Sequence, residues 1–352
     1  MNRAAARPRS ARTPPVRLAC LLAATLAASC GEGGVVERMA RGGAVVLPGE
    51  GVFPVRVDGQ VGFIDGSGEL VVEPQYGYAL EPSEGLIGVA TMEEAWGFLS
   101  ADRLEWAIEP RFNNVGPFVD GLAAADFGGS AGYVDASGET AVEPVYAAAR
   151  RFSEGLAAVM VGGMWGWIDR EGELAIPARY AATRDFSGGL AAVQQGGLFG
   201  YLDRDGETAI APAFADAYGF VDGLAAVKQP DGTWGFIDDT GVFVLEPTYY
   251  GAQSFSEGYA AVRIGARWGF IDRQGKVVVE PRFDRVGDVS QGLAAVHAAA
   301  GWGYVSPDGT WVVEAQYARA DPFTRGLAQV GTDDGRYGYI DRGGTAVWEP
   351  TY

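Results

Sequence analysis

Residues 155–180 read Gly-Leu-Ala-Ala-Val-Met-Val-Gly-Gly-Met-Trp-Gly-Trp-Ile-Asp-Arg-Glu-Gly-Glu-Leu-Ala-Ile-Pro-Ala-Arg-Tyr. Short apolar runs separated by turn residues predict three strands, at 156–161, 164–169 and 173–176. Gly162-Gly163 suits a two-residue hairpin, whose central residues both take positive φ. Asp169-Arg170-Glu171-Gly172 suits a type I turn, with Asp at its first place and Gly at its last. Pro177 has no N–H to give a ladder and ends the third strand. Alternation sends Trp165, Trp167 and Asp169 to one side of the second strand and Gly166 and Ile168 to the other. Gly166 then marks a place where a neighbouring backbone or ring comes close. A connection over 181–188 leads to the next Gly-Leu.

The same unit recurs along the chain. Its Gly step falls at Gly62, Gly97, Gly132, Gly166, Gly200, Gly235, Gly269, Gly303 and Gly338, always 34 or 35 residues apart. Asp65/Gly68, Asp135/Gly138, Asp203/Gly206, Asp272/Gly275 and Asp341/Gly344 repeat the second turn. Nine units therefore cover 51–352. No stretch of the repeats has a convincing 3.6-residue period, so few and short helices are expected. Recurring Leu, Val and aromatic positions predict one continuous core, each unit burying its neighbour's face.

The chain has 352 residues, 27 Lys+Arg, 45 Asp+Glu, one His and two Cys. The acidic balance argues against nucleic acid or an anionic lipid surface as partner, since both call for basic patches. One His and two Cys are too few soft ligands for a zinc or thiolate site. Residues 1–17 hold five Arg and no acid, and an apolar run follows over 18–28. That order is a secretory signal, and the run is too short to span a bilayer. It ends Leu26-Ala27-Ala28-Ser29-Cys30, which is similar to a bacterial lipobox with Ala27 where Leu is usual. The expected division is a signal peptide over 1–29, an anchor and linker over 30–50, and the repeat domain over 51–352. Cys30 is the expected lipid attachment site. Gly31 after it implies, by analogy with Gram-negative sorting, the outer membrane. Loss of Cys20 with the signal leaves no disulfide.

The pattern resembles the WG-repeat family, also called KWG repeats, of bacterial proteins. The carrying residues are Trp96-Gly97-Phe98, Trp165-Gly166-Trp167-Ile168-Asp169, Trp234-Gly235-Phe236-Ile237-Asp238 and Trp268-Gly269-Phe270-Ile271-Asp272. Glu-Pro pairs at 73, 109, 143, 246, 280 and 349, and the Gly-Leu-Ala-Ala strand, recur in register with them. The second unit departs, with Ser100 for the Asp and no turn Gly. The resemblance implies an all-β repeat array, often on exported proteins, and no general enzymatic activity.

Two architectures fit three-stranded meander units. An open curved array is favoured here, because both ends share one phase of the repeat. A closed propeller, the alternative, typically uses four strands in each of four to eight blades. No obvious strand is borrowed between the two ends to close a ring, although Val45-Val46-Leu47 could supply one.

The residue types that carry chemistry have structural explanations. Repeated Asp can bind Ca²⁺, but an Asp heading an x-x-Gly turn accepts turn N–H groups. The Glu of each Glu-Pro pair is expected to face solvent or an Arg such as Arg111, Arg179 or Arg282. Nine near-equivalent carboxylates argue against the two unique ones a glycosidase needs. His297 sits where other units have Met160, Gln194, Lys228 and Arg263, a variability that predicts exposure, and no Ser or Cys motif accompanies it. Recognition residues are expected in the connections (76–83, 113–118, 181–186, 249–255, 318–323) and at hairpin tips, because repeats hold a scaffold constant and vary one face. The expected function is a non-catalytic scaffold at the cell envelope that binds protein or peptide, or less favourably an envelope glycan. It has no cofactor, metal or catalytic residue and meets the membrane only through its anchor. A passive envelope lipoprotein and a polysaccharide-directed enzyme are the competing readings.

Overall fold

The computed structural model describes residues 51–351. They form nine antiparallel sheets, with no α-helix among them. The first sheet has three strands, β1 (Val52–Val57), β2 (Gln60–Asp65) and β3 (Leu70–Tyr76). The second has four in sequence order, β4 (Tyr78–Ala79), β5 (Leu86–Ala90), β6 (Trp96–Ser100) and β7 (Trp106–Phe112). The remaining seven repeat this four-stranded plan. The expected three-strand unit thus gains a strand, taken from the start of each connection. It is held by backbone amides donating to the second strand: Gly77 to Ala90 (2.9 Å), Leu80 to Gly88 (2.8 Å) and Ser83 to Leu86 (2.9 Å). Asn113, Gly116 and Val119 do the same in the third sheet.

The last strand of each sheet bulges past the one before it. Trp165 pairs with Tyr180 and Trp167 with Ile176, so extra residues are accommodated opposite Gly166. A Cβ on Gly166 would lie 2.6 Å from the Ile176 carbonyl oxygen and 2.7 Å from the Ala178 nitrogen. The Gly of the repeat is therefore demanded by the bulge, the close approach expected from the pattern.

Between sheets, aromatic side chains interlock. Tyr133 packs on Phe152 of the next sheet at 4.9 Å, Tyr201 on Phe220 at 5.0 Å and Tyr304 on Phe323 at 4.7 Å. Each Tyr hydroxyl donates to a carbonyl of that next sheet, at Arg150, Tyr218 and Asp321, all at 2.7 Å. Burial raises the pKa of all three phenols above the usual value. On the turn side, the Glu84 carboxylate accepts from the amides of Asp120 (2.8 Å) and Gly121 (2.9 Å). Glu257 repeats this with Gln291 and Gly292. Each sheet is thus fastened to its successor by apolar packing, reinforced at some joints by a phenol and at others by a carboxylate.

Contacts of the same kinds, made at different positions, join the last sheet to the first. Phe53 packs on Tyr339 at 5.6 Å, and Phe53, Val55, Ile64, Leu327 and Tyr339 form one buried cluster. The Tyr339 hydroxyl donates to the Pro54 carbonyl (2.9 Å), and the Thr351 hydroxyl to that of Arg56 (2.8 Å). The architecture is the closed ring, a nine-bladed β-propeller, and not the open array favoured from the sequence. Closure removes the two large apolar faces an open array would leave at its ends. It packs the terminal blades face to face and, among the described residues, uses no strand shared between the two ends.

Glu81 of the second blade pairs with Arg325 of the ninth, across the first. Blades separated by a third meet only near the axis, so the short first strands line the centre. The fourth strands, with alternate residues exposed, form the outer wall.

Candidate interaction surface

Chain direction places like features at like ends of the ring. The Asp-x-x-Gly turns and the loops between first and second strands share one end, here the turn face. The hairpins between second and third strands and the crossovers between blades share the other, the hairpin face.

The turn face is built for structure. Asp169 Oδ1 accepts from the amides of Glu171 (3.1 Å) and Glu173 (2.8 Å), and Asp203, Asp238, Asp272 and Asp341 repeat the pattern. Hydroxyl donation from Ser137 and Thr240 holds the Asp135 and Asp238 carboxyls below the usual carboxylate range. The repeated Asp is a turn residue, as the pattern implied. The Glu of the Glu-Pro pairs faces solvent on the outer strand. The anticipated Arg partners go elsewhere: Arg111, Arg179 and Arg282 donate to the carbonyls of Gly138, Gly206 and Gly309 in the following blade. A guanidinium reaches those carbonyls while stacking on Phe112, Tyr180 or Phe283, within 5.0–5.3 Å.

The hairpin face carries the variation. In eight of the nine blades register aligns three residues in one row beneath this face: one each from the first, second and third strands. The rows are Tyr78-Ala90-Trp96, Asn114-Asp126-Ala131, Ala148-Met160-Trp165 and Ala182-Gln194-Phe199. Then follow Asp216-Lys228-Trp234, Gly251-Arg263-Trp268, Arg285-His297-Trp302 and Arg319-Gly331-Tyr337. The third member is usually aromatic and half-buried, while the first two differ in charge and size from blade to blade. One step further in, the first strand holds only Ala, Val or Thr: Ala79, Val115, Ala149, Thr183, Ala217, Ala252, Val286 and Ala320.

Charges and rings on this face are organised in pairs. Arg184 bridges to Asp216 (3.1 Å), donates to the Ala217 carbonyl (2.7 Å) and lies 4.8 Å from the Tyr218 ring centre. Tyr218 in turn stacks on Trp234. Arg150 covers Trp165 at 4.9 Å, and Arg151 pairs with Asp185 at 3.1 Å. Tyr78 stacks on Trp96 beside Arg56, and Tyr78 and Tyr250 are more than half exposed. These are flat, amphipathic surfaces with charges already in place, a composition suited to protein contacts.

The structure divides the expected recognition segments. Their starts, such as Tyr78, Arg184 and Tyr250, lie on the hairpin face. Their ends, Phe118, Phe186, Phe255 and Phe323, are buried between blades. His297 is half-buried and not exposed, edge-on to Trp302 with Asp284 at 3.8 Å. Its neighbours in the row explain this, because ring-on-ring packing covers one side. Arg150, Arg151 and Asp216 were not singled out from sequence; the register that aligns them is a property of strand pairing. Cys30, the signal and the linker lie outside the described residues.

Several known structures are similar to the chain. A crystal structure of a eukaryotic initiation factor aligns with a TM-score of 0.60 at 10% identity, covering 84% of this chain and 95% of that one. The computationally designed Ika8 protein covers 83% of this chain and 99% of its own at TM-score 0.48 and 10% identity. BamB from Moraxella catarrhalis covers 73% and 94% at TM-score 0.46 and 13% identity. At such identities the likeness concerns the fold alone. No curated protein sequence matches the chain. The WG containing repeat model matches residues 62–90, 96–129, 132–165, 165–199, 199–233, 234–267, 268–296 and 302–335, and the chain therefore belongs to the WG-repeat family.

Proposed function

We propose that this propeller is a non-catalytic binding scaffold displayed at the cell envelope, with a protein or peptide as its partner. The observation that carries the reading is the convergence of the phase-variable residues in one row at the hairpin face. The turn face, by contrast, repeats one structural solution. Half-buried aromatic rings flanked by differing charges provide adaptable contact area at low entropic cost. The repeated carboxylates support the same reading, since each is engaged in its own turn or faces solvent on the outer wall.

Export rests on residues 1–29, and the anchor on acylation of Cys30. Metabolic labelling with an alkyne fatty acid tests the anchor. Label is expected in the full chain and lost in Cys30→Ser; label retained in that variant, or absent from both, removes the anchor. For the binding role, a photo-crosslinking residue is placed at Arg263 or Tyr250 in cells, with Gln274 on the turn face as control. Discrete adducts from the hairpin face alone are expected. Equal yields from both faces, or none from either, favour a passive envelope component.

A further inference from the structure

The first blade differs from the other eight at its inner edge. Among the described residues β1 has no first-strand neighbour. In the second blade the carbonyls of Leu86, Gly88 and Ala90 accept backbone amides from the first-strand segment. Among the described residues the matching carbonyls of β1 accept side chains: Val52 from Arg325 (3.1 Å), Pro54 from Tyr339 (2.9 Å) and Arg56 from Thr351 (2.8 Å). Tyr133, Tyr201 and Tyr304, the counterparts of Tyr339, all donate to the first-strand segment of the following blade. Against this edge lies a cavity of about 720 Å³, lined by Val55, Arg56, Leu80, Asp321 and Tyr337 among others.

We propose that this slot takes residues 43–49 of the same chain as the missing first strand of blade 1. The inference is independent of the binding role proposed above. Register supports it. Val52 pairs with Asp65 as Leu122 pairs with Asp135, so the two residues are equivalent. The third blade's first strand, Asn114–Val115, precedes Leu122 by eight and seven residues. The same count back from Val52 lands on Ala44 and Val45. Val45 thus takes the place that the other blades reserve for Ala, Val or Thr. Glu50-Gly51 takes the place of Glu84-Gly85, Asp120-Gly121, Glu154-Gly155 and Glu257-Gly258, and Pro48 that of Pro82. The amides at 43, 46 and 49 then match those of Gly77, Leu80 and Ser83. Pro54, with no N–H, is compatible, because these three bonds use only carbonyls of the second strand.

The alternation of a strand supplies the test. In five of the other blades the second place is buried, as with Val115 6%, Thr183 4% and Ala217 0% exposed, and in the remaining three it is half-buried. The first and third places hold polar residues such as Asn114, Arg319, Arg184 and Asp321. In the full chain, Val45→Asp is expected to lower the melting temperature and to speed amide exchange in β1 by roughly tenfold or more. Ala44→Asp and Val46→Asp are expected to leave both unchanged. A second readout does not depend on the Asp variant folding. Val45→Cys with Val55→Cys, the pair matching Ala79 and Val89, is expected to form an intramolecular disulfide located by peptide mapping. Equal responses to the three Asp variants together with no such disulfide overturn the proposal. So does stoichiometric binding of a synthetic peptide of residues 43–50 to the unmodified chain, which means the slot stands open to a strand in trans.

Discussion

Replacing Gly166 by Ala tests the bulge that defines each blade. The added Cβ meets backbone on two sides, 2.6 Å from the Ile176 oxygen and 2.7 Å from the Ala178 nitrogen. Neither atom can swing aside as a side-chain end does, so the fourth strand must move. Overpacking of this kind costs about 1–3 kcal/mol. Ala also restricts the unfolded chain, which offsets about 0.4–1 kcal/mol. The net loss is about 1–2 kcal/mol, a fall of about 2–3 °C in melting temperature for a protein of this size. Gly66→Ala is the control. Gly66 lies at the second turn of the first unit, with nothing within 4 Å of its added Cβ and no positive φ. That variant is expected to melt with the wild type or slightly above it. Thermal and urea unfolding, followed by circular dichroism and by tryptophan fluorescence, measure both. If Gly166→Ala melts with Gly66→Ala, the bulge does not require the Gly, and close backbone approach is the wrong account of the repeat.

Further outcomes follow from the joints between blades. Phe53→Ala removes a 1% exposed ring shared by the first and last blades; a loss of about 3–5 kcal/mol is expected, with early protease cleavage in those blades, and unfolding that leaves them intact contradicts the closure described. Tyr201→Phe deletes the donor to the Tyr218 carbonyl and is expected to cost about 1–3 kcal/mol in urea unfolding. Because burial raises its pKa, the Tyr201 phenol is expected to stay protonated in alkaline absorbance titrations until the fold is lost. Asp334 is held at about 2 by hydrogen bonds from Arg336 and Thr332. A depressed folded value means stability that is present above 3.8 and lost as pH falls toward about 2. The difference between wild type and Asp334→Asn is therefore expected to shrink across that window, and a difference that persists at its lower end refutes the assignment.

The all-β class, the nine units and the turn chemistry were legible because each is written locally and repeated. Gly166 and Asp169 declare their roles within a few residues. The added first strand was hidden because six of its eight copies, such as β4, are two residues long, too short for any period. Closure was hidden for a different reason. It depends on a small rotation accumulated over nine interfaces, and no unit encodes the sum. Tyr339 looks in sequence like an ordinary member of the repeat, and Phe53, standing where the other units have Ala or Ile, does not name the ring it packs against. The hairpin-face row needed strand register before Arg184, Asp216 and Tyr218 became neighbours. The buried ends of the connections were misplaced for a related reason: Phe118 and Phe186 lie in segments of polar character, yet each is the peg that fills the gap between two blades.

The separation of the two faces has a consequence for how such a chain can change. Within a blade, the residues that set packing and the three that form the row are interleaved in sequence but distinct in direction. A unit copied or exchanged by recombination carries its own row with it, and meets neighbours through joints built on one apolar plan. New surface chemistry is then acquired a whole blade at a time, with the interfaces already matched. Point changes in a row are similarly insulated from the core by the small residues beneath it. The ring is in this sense modular in heredity as well as in shape: its scaffold tolerates shuffling, and selection can act on the rim one blade at a time.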